Sequence, residues 1–153
     1  MAVDRLIQAR SAKPTILVLE DNADQWFLIR WVLLQKFPEV EPVWMSDSTQ
    51  AILYLESCSE NEQELPRLIL LDLYLPTCQV GFNFAQIIKS HYRYREIPVV
   101  MLSWSHDPDD IRKSYRCGVN SFITKPATNN QWLDCFGMLR QYWWDITTLP
   151  NVV

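Results

Sequence analysis

Apolar residues along this chain come in two arrangements. Three stretches are nearly unbroken: Thr15-Ile16-Leu17-Val18-Leu19, Leu68-Ile69-Leu70-Leu71 and Ile97-Pro98-Val99-Val100-Met101-Leu102. Each is short for a helix and lacks the alternation of a half-exposed strand, so each predicts a strand buried on both faces. Weaker strands are predicted over Val40 to Met45, where Glu41 and Pro42 suggest a sheet edge, and over Val119 to Thr124.

Elsewhere apolar residues recur at three- and four-residue spacings, which predicts helices. Asn22 caps the first, with Gln25 three residues on; Phe27, Trp31 and Leu34 supply its inward stripe, and Phe37-Pro38 closes it. Ser46 or Asp47 caps the second, which runs to about Cys58 with Ala51, Ile52 and Leu55 inward, and Ser59 to Leu65 is an acidic loop. After Pro76 an irregular Thr77 to Gly81 precedes a third helix burying Phe84, Ile87 and Ile88. Asp107-Pro108 opens the fourth and Gly118 closes it. The last runs from about Thr128 to Trp144, with Trp132, Phe136, Leu139 and Trp143 as its stripe.

Strand and helix thus alternate five times. That predicts an α/β fold, a doubly wound five-stranded parallel sheet with right-handed crossovers and strand order 2-1-3-4-5. The 153 residues suit one domain. It is predicted to span 14–145, between an N-terminal extension (1–13) and a C-terminal tail (146–153).

Charge and composition narrow the functions. A net charge of −4 argues against a nucleic-acid surface and gives no reason to expect an anionic membrane partner. No apolar run is long enough to span a bilayer, and Met1 to Pro14 has no hydrophobic signal core, so a cytoplasmic location is expected. Cys58, Cys78, Cys117 and Cys135 lie far apart with only two histidines to help, which suits packing better than a zinc site.

In this architecture chemistry gathers at the carboxyl ends of the strands. Those ends carry Glu20 and Asp21, Asp72, Ser103 and Lys125. Clustered carboxylates raise one another's pKa unless a cation sits among them, and Mg2+ prefers such hard oxygen ligands. Asp72 is then a nucleophile toward a phosphoryl group, Lys125 a point charge for an anionic oxygen, and Ser103 a hydroxyl donor to another.

These residues carry a resemblance. Leu19-Glu20-Asp21-Asn22, Leu71-Asp72-Leu73-Tyr74-Leu75-Pro76, Val100-Met101-Leu102-Ser103 and Phe122-Ile123-Thr124-Lys125-Pro126 resemble the receiver domain of bacterial two-component response regulators, a flavodoxin-like fold, over about Pro14 to Trp144. The resemblance implies transfer of a phosphoryl group to Asp72 from a phosphohistidine, on a sensor histidine kinase or a histidine phosphotransfer protein. It implies Mg2+ held by Asp21, Asp72 and the backbone carbonyl of Tyr74, with Glu20 supporting directly or through water. It makes Ser103 and Phe122 a switch pair, and it implies a cis Lys125-Pro126 bond. Such a domain is a signalling module and not an enzyme, beyond self-phosphorylation and self-dephosphorylation.

The chain departs from the family pattern in places. Its acid pair is Glu-Asp, and Gly81 stands one residue later than usual, which predicts a displaced first turn in the third helix. Tyr74 and Trp104 are bulky where the family often has small residues, and they are predicted to narrow access to Asp72. If they close it, the domain is a pseudo-receiver adaptor that binds partners without phosphorylation. A Mg2+-dependent aspartyl phosphatase fits less well, because Tyr74 stands where a second acid is needed. A flavodoxin fits less well too, because the loop after the first strand is acidic.

Only Asp145 to Val153 follows the last helix, so output is expected through a downstream protein target. Trp132, Tyr142, Trp143 and Trp144 are the interface candidates. The face built from the fourth helix, fifth strand and last helix is expected to dock that target or a second copy as a homodimer, the alternative being a tail folded over its own domain.

Overall fold

Ile16 to Leu19 have no polar side to turn to water. The computed structural model, which describes residues 13–150, places them in β1 (Thr15–Leu19) inside a sheet. The elements that follow are α1 (Ala23–Lys36), β2 (Glu41–Met45), α2 (Ser48–Glu60), β3 (Leu68–Asp72), α3 (Cys78–Ser90), β4 (Val99–Ser103), α4 (Pro108–Arg116), β5 (Ser121–Thr124) and α5 (Asn129–Arg140). A π-helical turn, Gln141–Ile146, continues α5. The strands pair in the order β2-β1-β3-β4-β5, every pair parallel. The predicted topology is therefore the observed one.

Successive side chains of a strand point to opposite faces, and here both faces are buried. Ile16, Val18, Leu68, Leu70, Val100 and Leu102 pack beneath α1 and α5 with Phe37, Trp132 and Phe136. Leu17, Leu19, Ile69, Leu71, Val99 and Met101 pack beneath α2 and α3 with Leu55, Phe84 and Ile88. Four of the five helix starts are fixed by a side-chain cap, whereas Thr77 before α3 provides none. The Asn22 side chain accepts the Gln25 N–H at 3.0 Å, Asp47 that of Gln50 at 2.8 Å, and Asp107 that of Asp109 at 2.9 Å. Thr128 and Gln131 form a reciprocal capping box at α5. Gly118 ends the α4 segment with φ at 97°, a conformation other residues rarely take.

Four expectations are corrected. The inward stripe of α1 is Trp26, Ile29, Val32 and Leu33, whereas Phe27, Trp31 and Leu34 are 62%, 40% and 40% exposed. Apolar residues surround most of this helix, so two stripes compete, and Trp26 decides between them by stacking on Trp44 of β2 with centroids 5.4 Å apart. In α3, Ile87 is half exposed, and Phe82 and Ala85 join Phe84 and Ile88 inside. That helix begins at Cys78, and Gly81 lies within its first turn, because a Cβ there would overlap the Leu73 carbonyl. The cis peptide precedes Pro76 and not Pro126; X-Pro bonds prefer trans so weakly that surroundings choose among nine prolines.

The N-terminal extension lies, apart from Lys13, outside the described residues. The tail is described to Pro150: Thr147, Leu149 and Pro150 lie with Trp143, Trp144, Arg67 and Pro98 around a cleft of about 380 Å³ at the amino-terminal edge of the sheet. Trp144 sits edge-on to Phe37 at 5.2 Å and under the Arg67 guanidinium at 5.8 Å. The sheet has two margins. At β2 the Glu41 N–H turns inward to the Pro14 carbonyl at 2.9 Å, and at β5 the Phe122 N–H turns outward to the Tyr115 hydroxyl at 3.0 Å.

Candidate functional site

Parallel strands of similar length end on one rim, and the side chains at those ends meet there. Glu20 follows β1, Asp72 ends β3, Ser103 ends β4 and Lys125 follows β5; all four are buried, while Asp21 is exposed. The Lys125 N–H donates to the Ser103 carbonyl at 2.8 Å, which continues the β4–β5 pairing to the rim and aims the lysine inward. Its ammonium lies 3.0 Å from Glu20 Oε2 and 3.5 Å from Asp72 Oδ2.

Glu20 is held from three sides. Its other carboxylate oxygen accepts the Asn22 N–H at 3.2 Å, and its carbonyl accepts Trp44 Nε1 at 2.7 Å. Asp72 Oδ1 accepts the Tyr74 N–H at 3.3 Å. Carboxylate oxygens of Glu20, Asp21 and Asp72 lie within 4.8 Å of one another. Burial is the main reason the Asp72 carboxyl is pushed up to about 7; Lys125 pulls it down, and neighbouring Glu20 pushes it up again. Three acids thus share one lysine. That excess of negative charge, offered by oxygen donors alone, fits a hard divalent cation such as Mg2+.

The predicted switch and access residues surround this centre. Ser103 is fully buried and its hydroxyl oxygen accepts the Ser105 N–H at 3.1 Å. Phe122 is half buried against the same core as Met101. Trp104 is 53% exposed with its ring centroid 5.7 Å from Lys125 Nζ, a cation–π distance. Tyr74 is 42% exposed, and its hydroxyl donates to Asp110 Oδ2 on α4 at 2.9 Å. Tyr74 and Trp104 therefore do lie at the rim.

Sequence reasoning missed three residues. Asp110 and Ser105 looked like a helix start and a loop, and Trp44 like an ordinary strand residue. Only the fold brings them to the site; a hydroxyl after β4 and an acid in the first turn of the next helix were the one available signal. Among the interface candidates, Trp132 is fully buried against the sheet and presents no surface, since its stripe is the one α5 needs for packing. Tyr142 is exposed, and Trp143 and Trp144 are half buried.

A receiver is what this fold and rim define, and comparison with known proteins agrees. Residues 16–135 match the family described as the response regulator receiver domain. The chain is 34% identical over 128 residues to the probable methanogenesis regulatory protein FilR2 of Methanothrix harundinacea, covering 84% of this chain and 82% of that one. It is 32% identical over 136 residues to response regulator Rcp1 of Synechocystis, covering 88% and 92%. The crystal structure of the phosphorylated cyanobacterial phytochrome response regulator RcpA superimposes with a TM-score of 0.80 at 36% identity, covering 91% of this chain and 99% of that one. The Mn2+-bound form of Rcp1 gives 0.77 at 30%, covering 90% and 99%. This chain belongs to the response regulator receiver domain family, the phosphorelay signalling modules of two-component systems. Among the described residues no helix is long and apolar enough to cross a membrane.

Proposed function

We propose that this protein is a response regulator that accepts a phosphoryl group on Asp72 and signals by changing what it binds. The observation that carries this is the Lys125 ammonium held between Glu20 and Asp72 on a rim that also bears Asp21 and Ser103. An Asp72 oxygen forms the new P–O bond while the P–N bond of a phosphohistidine breaks, and the leaving imidazole keeps the electron pair and takes up a proton. The donor is a sensor histidine kinase or a histidine phosphotransfer protein. Lys125 stabilises phosphoryl charge and Ser103 donates to a phosphoryl oxygen; Phe122, in the next strand and paired with Met101, follows that movement. Asp21, Asp72 and the Tyr74 carbonyl would hold Mg2+, with Glu20 close by. Bound there, the ion would offset the charge of the carboxylates and supply positive charge for phosphoryl transfer. No turnover beyond self-phosphorylation and self-dephosphorylation is assigned.

Intact mass after incubation with Mg2+ and acetyl phosphate tests this. The expected result is a gain of one phosphoryl group, lost in Asp72→Asn and without Mg2+; no gain with acetyl phosphate or with candidate kinases sinks the reading. The pseudo-receiver adaptor is the second reading, favoured by the two aromatic rings at the rim. In that case Trp104→Ala stays inert as well.

Output runs through a protein partner or a second copy at the face of α4, β5 and α5. What supports that face is its exposed Met138 and Tyr142 beside an open apolar groove of about 770 Å³ that Ile123 and Trp143 also line.

A further inference from the structure

Two hydrogen bonds end on one oxygen at the edge of the site. Asp110 Oδ2 accepts the Tyr74 hydroxyl at 2.9 Å and the Ser105 hydroxyl at 2.6 Å. The two donors lead to different parts of the centre. Tyr74 donates its backbone N–H to Asp72 Oδ1 at 3.3 Å, and Ser105 donates its own to the Ser103 hydroxyl at 3.1 Å. One carboxylate therefore closes a circuit from Asp72 to Ser103 through two side chains and two amides. Tyr74 stands just past β3 and Asp110 in the first turn of α4, so the ring bridges the gap between the ends of the neighbouring strands β3 and β4. Ser105 is fixed further by accepting the Asp107 N–H at 3.1 Å, and the Asp110 backbone by accepting the Ser114 hydroxyl at 2.8 Å.

We propose that Asp110 is a positioning residue that latches Tyr74 across the entrance to Asp72 and, through Ser105, holds Ser103 away from it. This rests on Asp72 being the phosphoacceptor. The Ser103 hydroxyl oxygen is tied to the Ser105 amide, and Ser105 to Asp110, so a movement of Ser103 toward a phosphoryl group on Asp72 strains both bonds. Release of the latch and engagement of Ser103 are thus coupled. The latch is peculiar to a chain with a phenol at 74, a hydroxyl at 105 and a carboxylate at 110.

The test is a double-mutant cycle on the full chain, with initial phosphorylation by acetyl phosphate as the readout. Tyr74→Phe removes the hydroxyl and keeps the ring; Asp110→Ala removes the shared acceptor from a half-buried position in the first turn of α4. Each is expected to speed phosphorylation by a factor of about 3 to 10, as the loss of one charge-assisted hydrogen bond allows. The double variant should be no faster than the faster single one, and Asp110→Asn, which keeps an acceptor oxygen, should fall between. Unchanged rates, or single effects that multiply, overturn the latch. A second readout needs no phosphoryl chemistry: in two-dimensional NMR of the unphosphorylated protein, Tyr74→Phe should shift the Ser105 amide. If that amide does not move, the latch is overturned even where phosphorylation proceeds. If it moves but no variant gains a phosphoryl group, the latch stands and the phosphotransfer reading falls.

Discussion

Lys125 faces Glu20 and Asp72 at once, and Asp21 adds a third acid nearby. The raised pKa of Asp72 makes this visible as a pH effect on stability. Unfolded, the group releases its proton near pH 4; folded, it keeps it to about 7. Across that window the folded state binds more protons, so its contribution to stability is whole below about pH 4 and is lost as pH rises through about 7. Thermal melts without divalent cation should therefore show this contribution falling over that range, and Asp72→Asn should flatten the slope. Added Mg2+ should raise Tm more at pH 8 than at pH 5. Removing the lysine is worse than removing an acid: Lys125→Ala leaves buried carboxylates unpaired and should cost about 3–5 kcal/mol at neutral pH.

At this scale the sequence was informative, for a physical reason. Glu20, Asp72 and Ser103 each end or follow an apolar run, and a run buried on both faces has only one place to put its first polar residue; Lys125 follows the half-buried β5 and was legible from its place after the fifth strand. Asp110 was hidden because its partner Tyr74 lies 36 residues away, across a crossover whose geometry no local pattern encodes.

Among the elements, α1 shows where pattern reading fails. A helix apolar nearly all round fits two stripes, and packing of Trp26 on β2 selects one. The two choices differ measurably: Ile29→Ala should cost about 2–5 kcal/mol in denaturant unfolding, and Phe27→Ser no more than about 0.5. If the sequence-predicted stripe were the buried one, the order would reverse. The third helix teaches the converse lesson. Gly81 looked like a misplaced loop glycine, but it is where α3 lies against the Leu73 carbonyl, beside the residue whose carbonyl is proposed to face the metal. Gly81→Ala must push α3 away from β3, so weaker Mg2+ binding should accompany its lower Tm.

For the molecule as a whole, sheet order followed from five alternations and held without correction. The surface did not follow, since periodicity says which side of an element is apolar but not which neighbour covers it. Trp132 shows this: an interface candidate by composition, it is consumed by packing. Self-association through α4, β5 and α5 should appear in sedimentation as a concentration-dependent mass that Tyr142→Ser reduces. A single monomer mass at high concentration would remove the homodimer from the proposal.

The two margins of the sheet also bear on storage. An open strand edge is a template for another chain, and unbroken rows of free N–H groups seed fibrils. On β2 the outward positions are 42 and 44, and Pro42 has no N–H to offer. On β5 they are 122 and 124, and the Tyr115 hydroxyl occupies the first. Each margin therefore offers one strand amide, too few to recruit a neighbour. Tyr115→Phe would restore a second to the β5 side, and concentrated solutions of that variant should cloud sooner on warming.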